Sequence, residues 1–208
     1  MKKIFYFLLA GGMFLSSCEL EDDGTENGGG SNNNDGGGNN NNSEAGLVES
    51  FTVKLAYNSL TSSEKASFDL HNLTAVAANS SEADITLCYQ NNYKYAMVTP
   101  NSSWLKDLYA FNDKSYSNSN STTICNLGQV PLSDYDEASE LKSLSVSSGS
   151  ISYLAGKDQV QVNDGDVIAF QKGNIKGVGQ ITGLSMSVSK VKANATFKGY
   201  VYNPSAAK

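Results

Sequence analysis

The chain has 208 residues, a net charge of −6, one histidine, three cysteines and fifteen basic residues, every one of them lysine. Without arginine it lacks the forked side chain best suited to bidentate recognition of phosphate, carboxylate or guanine, and its acid excess repels polyanionic backbones, so nucleic acid is excluded as a partner. A single histidine likewise leaves little material for zinc, triad or Cys-His chemistry.

At the N-terminus, Lys2 and Lys3 precede an apolar run from Ile4 to Leu15, a charged and then hydrophobic order that reads as a signal peptide over residues 1–17. The run is shorter than the roughly 20 residues that a membrane-spanning helix needs. Leu15-Ser16-Ser17-Cys18 resembles the lipobox of bacterial lipoproteins. That resemblance implies cleavage before Cys18, acylation of its new N-terminus and anchorage in the outer membrane, where more than one acyl chain makes attachment stable. Loss of Lys2 and Lys3 with the leader would take the net charge from −6 to −8. The acidic block Glu19-Leu20-Glu21-Asp22-Asp23 resembles the export signal of Bacteroidota surface lipoproteins, which implies exposure on the cell exterior.

From Gly24 to Asn42 the chain is almost wholly Gly, Asn and Ser and offers nothing to a core. Residues 18–46 are therefore expected to be a lipidated cysteine and a disordered tether, with an r.m.s. reach of roughly 30 Å. Residues 47–208 have globular composition and suffice for one domain. Alternation begins at once, with Phe51, Val53, Leu55 and Tyr57 on one face and Thr52, Lys54 and Ala56 on the other. Ile85 to Tyr89 and Tyr93 to Met97 flank an Asn91-Asn92 turn and predict a hairpin.

Further strands are predicted over Ile151–Ala155, Gln159–Val162, Val167–Gln171, Gly177–Thr182, Leu184–Val188 and Ala193–Tyr202. Asn163-Asp164-Gly165-Asp166 reads as a tight hairpin turn between the second and third of these, not as a calcium loop, because the spacing fails the EF-hand pattern. Two short helices interrupt the strands. One is capped by Ser133 and carries Asp134, Asp136 and Glu137 in its first turn, Ala138, Leu141 and Leu144 as an apolar stripe, and Lys142 near its end; the other covers Ser103 to Ala110. The fold expected is mainly β, an antiparallel sandwich or barrel-like domain with one or two short helices.

Cys88 and Cys125 remain after lipidation, in a compartment where a disulfide persists; a bridge between them and two separately buried thiols are both compatible with the sequence. His71 lacks any carboxylate or cysteine pattern around it and reads as a turn histidine, so no enzyme and no metal centre is expected. Tyr93, Tyr95, Trp104 and Tyr109 are the candidate ligand-binding aromatics, able to stack on sugars or flat ligands; strand packing is the competing account of them. The expected function is non-enzymatic binding of a glycan, small ligand or partner protein outside the cell. A fimbrial or other structural subunit is a further alternative.

The blocks Ser67-Phe68-Asp69-Leu70, Ala83-Asp84-Ile85-Thr86-Leu87, Asp164 to Phe170 and Gly177 to Ile181 loosely resemble HmuY-like haemophores. The resemblance implies a β-rich fold and haem as the one alternative cofactor. One histidine per chain rules out a bis-histidine pair, leaving Met97 and Met186 as formal iron ligands.

Overall fold

The computed structural model describes residues 47–58, 64–90, 94–103, 105–106, 116, 118–146, 159–186 and 192–206. The leader, the tether, Cys18, the Asn91-Asn92 turn and the strand predicted at Ile151–Ala155 lie outside them.

Among the described residues, ten strands form two antiparallel five-stranded sheets. In the first, β1 (Val48–Asn58), β10 (Lys192–Tyr202), β9 (Ile175–Met186), β8 (Val167–Lys172) and β6 (Thr123–Gly128) are neighbours in that order. In the second the order is β3 (Thr74–Val76), β2 (Ser67–Asp69), β4 (Ile85–Gln90), β5 (Lys94–Val98) and β7 (Gln159–Gln161). Among the described residues neither sheet closes on itself, so the fold is a sandwich and not a barrel.

Alternation dictates how the sheets pack. From Phe51 onward the odd-numbered residues of β1, and those of β10, among them Phe51, Val53, Leu55, Ala195, Phe197 and Val201, are buried between the sheets, whereas Glu49 at the start of β1 is exposed. At the centre Phe51 stacks on Phe68 with ring centroids 4.4 Å apart, and Phe197 meets both, at 5.2 and 5.5 Å. Phe170 completes the group, edge-on to Phe68. Four rings in offset and tilted contact form an inter-sheet core that supplies dispersion and area burial together.

Their bulk is accommodated by missing side chains opposite. Gly179 of β9 pairs with Gly199 of β10, and Gly177 of β9 pairs with Phe170 of β8, where a Cβ at Gly177 would stand 2.5 Å from the Phe170 ring. A different need is met at Gly183, whose φ of +64° lets β9 pass through a bulge opposite Asn194 and Thr196. The two strands expected at Gly177–Thr182 and Leu184–Val188 are thus one strand to Met186, bent at that glycine; Asp164 Oδ1 accepts the Leu184 N–H at 2.9 Å and pins the bend.

The hairpin expected around Asp164-Gly165 is absent. β7 pairs with β5 in the second sheet, whereas β8 pairs with β6 and β9 in the first, so residues 162–166 carry the chain across the sandwich. The buried carboxylate of Asp166 directs this crossing by accepting from Asn163 N and from Asn126 Nδ2, both at 2.8 Å. Asn126 Nδ2 also donates to Gln161 O, which ties β6 to β7.

One face of the first sheet carries a third layer. A short α-helix, α1 (Ala138–Ser143), lies on Val167, Ala169, Val178 and Tyr202, with Ala138, Leu141 and Leu144 buried as predicted; of the helix expected over Ser103 to Ala110, the described residues Ser103, Leu105 and Lys106 are helical and the rest lies outside the described residues. Ser133 is not its cap. It falls in a 3-10 turn over Leu132–Tyr135 that follows Pro131, and Glu137, extended at ψ 158°, occupies the N-cap of α1. The residues that pack on the sheet, Leu132, Tyr135, Ala138, Leu141 and Leu144, are spaced by three. A continuous α-helix turns 3.6 residues per revolution and would carry such a stripe off the sheet, whereas a three-residue 3-10 repeat and a break at Glu137 keep it in contact.

Candidate functional site

The predicted site residues are dispersed. Tyr93, Trp104 and Tyr109 lie outside the described residues, as does Cys18. Tyr95 faces Tyr89 across the β4–β5 ladder, rings edge-on at 5.7 Å, and both pack part-buried against the core. Partial burial, and then the Tyr89 hydroxyl beside it, raises the Tyr95 hydroxyl above the usual tyrosine range. Tyr95 is therefore a cross-strand packing residue of the kind that stabilises sheets.

Cys88 is a free thiol, so the Cys88–Cys125 bridge is not formed. The two cysteines belong to different sheets and different clusters: Cys88 sits in the inter-sheet core, whereas Cys125 is buried beneath the α1 layer. Burial in apolar surroundings pushes the Cys88 thiol far above its ordinary range, and its Sγ donates to Ala96 O at 3.5 Å. Thiolate is the reactive form. Peptide mapping after iodoacetamide treatment of the folded full-length chain should find Cys88 unmodified and, after denaturation, fully alkylated; labelling in the fold would contradict its place in the core.

Met97 is fully buried in the core, whereas Met186 stands exposed at the end of β9, so they do not come together as an iron-ligating pair. His71 is exposed in the turn between β2 and β3, where the Asp69 carboxylate accepts the backbone N–H groups of His71 and Asn72. Among the described residues no group of three His, Cys, Asp or Glu converges as a metal site.

A concavity does occur where α1 meets the open part of the first sheet. It is a groove of about 480 Å³ lined by Val48 and Ser50 of β1, Tyr200 of β10, and Asp136 to Ser139 at the start of α1. Its geometry follows from the fold. Even-numbered residues of β1 and β10 face away from the core, and the ladder sets Ser50 opposite Tyr200 and Tyr200 opposite Val178. The far wall is held by buried Leu141 and by Lys176, whose Nζ donates to Lys142 O and Leu144 O at 2.7 Å each. These two bonds satisfy carbonyls at the C-terminal end of α1, where a cation is favoured. Lys142 in turn lies 5.3 Å from the centre of the Tyr202 ring.

The groove therefore joins an aromatic side chain, half-buried and fixed in a central strand, to hydroxyls and to the exposed carboxylates of Asp136 and Glu137. The Ser139 hydroxyl donates to Glu140 Oε2 at 2.7 Å and holds that carboxyl below the usual glutamate range. Such a set can stack on a ring and accept hydrogen bonds from its hydroxyls. Sequence reading missed Tyr200, because in an alternating strand it looks like any outward residue. Its signal was the outward series of β10, Lys192, Asn194, Thr196, Lys198, Tyr200 and Tyr202, polar throughout until two aromatics end it.

No protein family, curated protein or solved structure matches this chain.

Proposed function

We propose that the chain is a lipid-anchored, surface-exposed lipoprotein whose sandwich binds an extracellular saccharide without transforming it. The observation that carries this reading is the groove beside α1, in which the Tyr200 ring faces carboxylates and hydroxyls across a cleft large enough for a sugar. Its anchor is the lipobox cysteine Cys18, and the Gly/Asn-rich segment that follows is the spacer holding the domain clear of the head groups. The groove opens on the outer surface of the first sheet, where a ligand can enter without disturbing the phenylalanine core.

Affinity electrophoresis of the full-length chain through gels containing mixed polysaccharides tests the binding. The parent chain should be retarded, and Tyr200→Ala should lose most of the retardation, since a stacked aromatic supplies on the order of 1 kcal/mol or more. Equal mobility with and without polysaccharide would remove the saccharide reading. Membrane fractionation tests the anchor separately: Cys18→Ala should leave the protein in the soluble fraction, and unchanged membrane attachment would refute anchorage through that residue.

A further inference from the structure

Among the described residues, the outer surface of the first sheet continues beyond the groove as an uncovered face whose charge is opposite to that of the chain. α1 covers the end of the sheet near Val167, Ala169, Val178 and Tyr202. Past Tyr200 the ladder sets out two cross-strand rows: Gln180, Lys198 and Thr52, then Thr182, Thr196 and Lys54. Lys54, Lys198 and Thr52 are exposed, and the other three are half-buried with their side chains on the same face. Among the described residues, no outward position of β1, β9 or β10 carries Asp or Glu, although the chain as a whole has 21 acids to 15 lysines.

We infer that this face, contiguous with the Tyr200 groove, selects an anionic glycan, its uronate or sulfate groups lying over Lys54 and Lys198 while a sugar ring rests on Tyr200. The inference rests on the saccharide reading of the groove and names its ligand class.

Three features argue for this class. Lys54 and Lys198 are diagonal neighbours, about 7–8 Å apart from strand geometry, and like charges so placed repel until an anion lies between them. Around them stand Thr52, Thr182, Thr196 and Gln180, short neutral donors and acceptors suited to hydroxyl groups. Protein-binding surfaces by contrast centre on large apolar or aromatic anchors, and these two rows contain none. The ammonium groups are point charges without the arginine fork, which suits scattered carboxylates or sulfates along a chain. Asp136 and Glu137 on the far wall fix polarity. They accept from hydroxyls at the groove end and repel the anionic groups toward the lysines.

Retention of the full-length chain in detergent on immobilised polygalacturonate, dextran sulfate, neutral dextran and polyglutamate separates the outcomes. The parent should be held by polygalacturonate or dextran sulfate more strongly than by neutral dextran, with retention falling steeply at about 0.5 M NaCl as exposed charges are screened. Lys54→Gln/Lys198→Gln should weaken that retention roughly tenfold, the equivalent of two exposed ionic contacts, with an unaltered melting curve. Asp136→Asn/Glu137→Gln should strengthen it. Retention on neutral dextran equal to that on the anionic polymers, or insensitive to the two lysine changes, would overturn the anionic class and leave the saccharide groove standing. Equal retention on polyglutamate would reassign the face to acidic protein. No retention on any of the four would sink both readings.

Discussion

Gly199→Ala should destabilise the protein by about 3 kcal/mol or more, among the largest effects available from adding a single methyl group. A Cβ at position 199 would fall on the carbonyl of Val178 in the neighbouring strand. That obstacle is backbone, hydrogen-bonded in the ladder, and cannot rotate aside. At Gly179 the methyl would instead meet the Phe197 ring, which can swing at some cost to its packing against Phe51 and Phe68. Gly179→Ala is therefore the milder change, in the range of about 1–3 kcal/mol for an overpacked core. Urea titration should show both midpoints lowered at unchanged slope, with Gly199→Ala the lower. Domains of this size are stable by only about 5–15 kcal/mol, so the shift is easily measured. A Gly199→Ala midpoint within about 0.5 kcal/mol of the parent would mean that β9 and β10 do not approach as described.

The same glycines mark how far the sequence alone could be read. Phe51, Val53, Leu55 and Tyr57 alternate so regularly that β1 and its buried face are legible, and β10 is found over nearly the predicted range. What the sequence could not express is which sheet each strand joins. Asp164-Gly165 reads as a turn in either a hairpin or a crossing, and the choice is made by Asn126 bonding Asp166 and Gln161, residues 35 to 40 positions away. The helix at α1 is found with its expected buried stripe, and only its start differs, for another reason. Its apolar residues recur at a spacing of three, a period that fits neither a long α-helix nor a strand, and was read as helix from its amphipathic half alone. The candidate groove was invisible because three unremarkable segments build it: 48–50, 136–139 and position 200. The aromatics that the sequence marks as ligand candidates cluster along the chain, and the one among them that is described, Tyr95, packs in the β4–β5 ladder.

The second large effect is expected at Lys172, which holds the two sheets together at one end. Asp84, fully buried just before β4, receives Lys172 Nζ from β8 at 2.7 Å, the Leu70 N–H at 3.0 Å and the Thr122 hydroxyl at 3.4 Å. Next to it Asn118 Nδ2 donates to Ser80 O and Ala83 O, so the segment leading into β6 is sewn to the turn leading into β4. Lys172→Met removes the only cation bonded to Asp84 among the described residues and leaves a fully buried carboxylate without a counter-charge. The penalty for breaking a fully buried pair is about 3–5 kcal/mol, but the Lys172 side chain is 33% exposed, so about 2–3 kcal/mol is the expected loss. Asp84→Leu alone strands the Leu70 N–H and the Thr122 hydroxyl, each worth about 1–3 kcal/mol when unsatisfied, while its lysine escapes to solvent. In the double variant no buried charge is left unpaired, so its loss should fall below the sum of the single losses by at least about 1 kcal/mol. Strict additivity in that cycle, or a Lys172→Met variant as stable as the parent, would show that Asp84 is held by its neutral donors alone and that the ion pair adds nothing to the joining of the sheets.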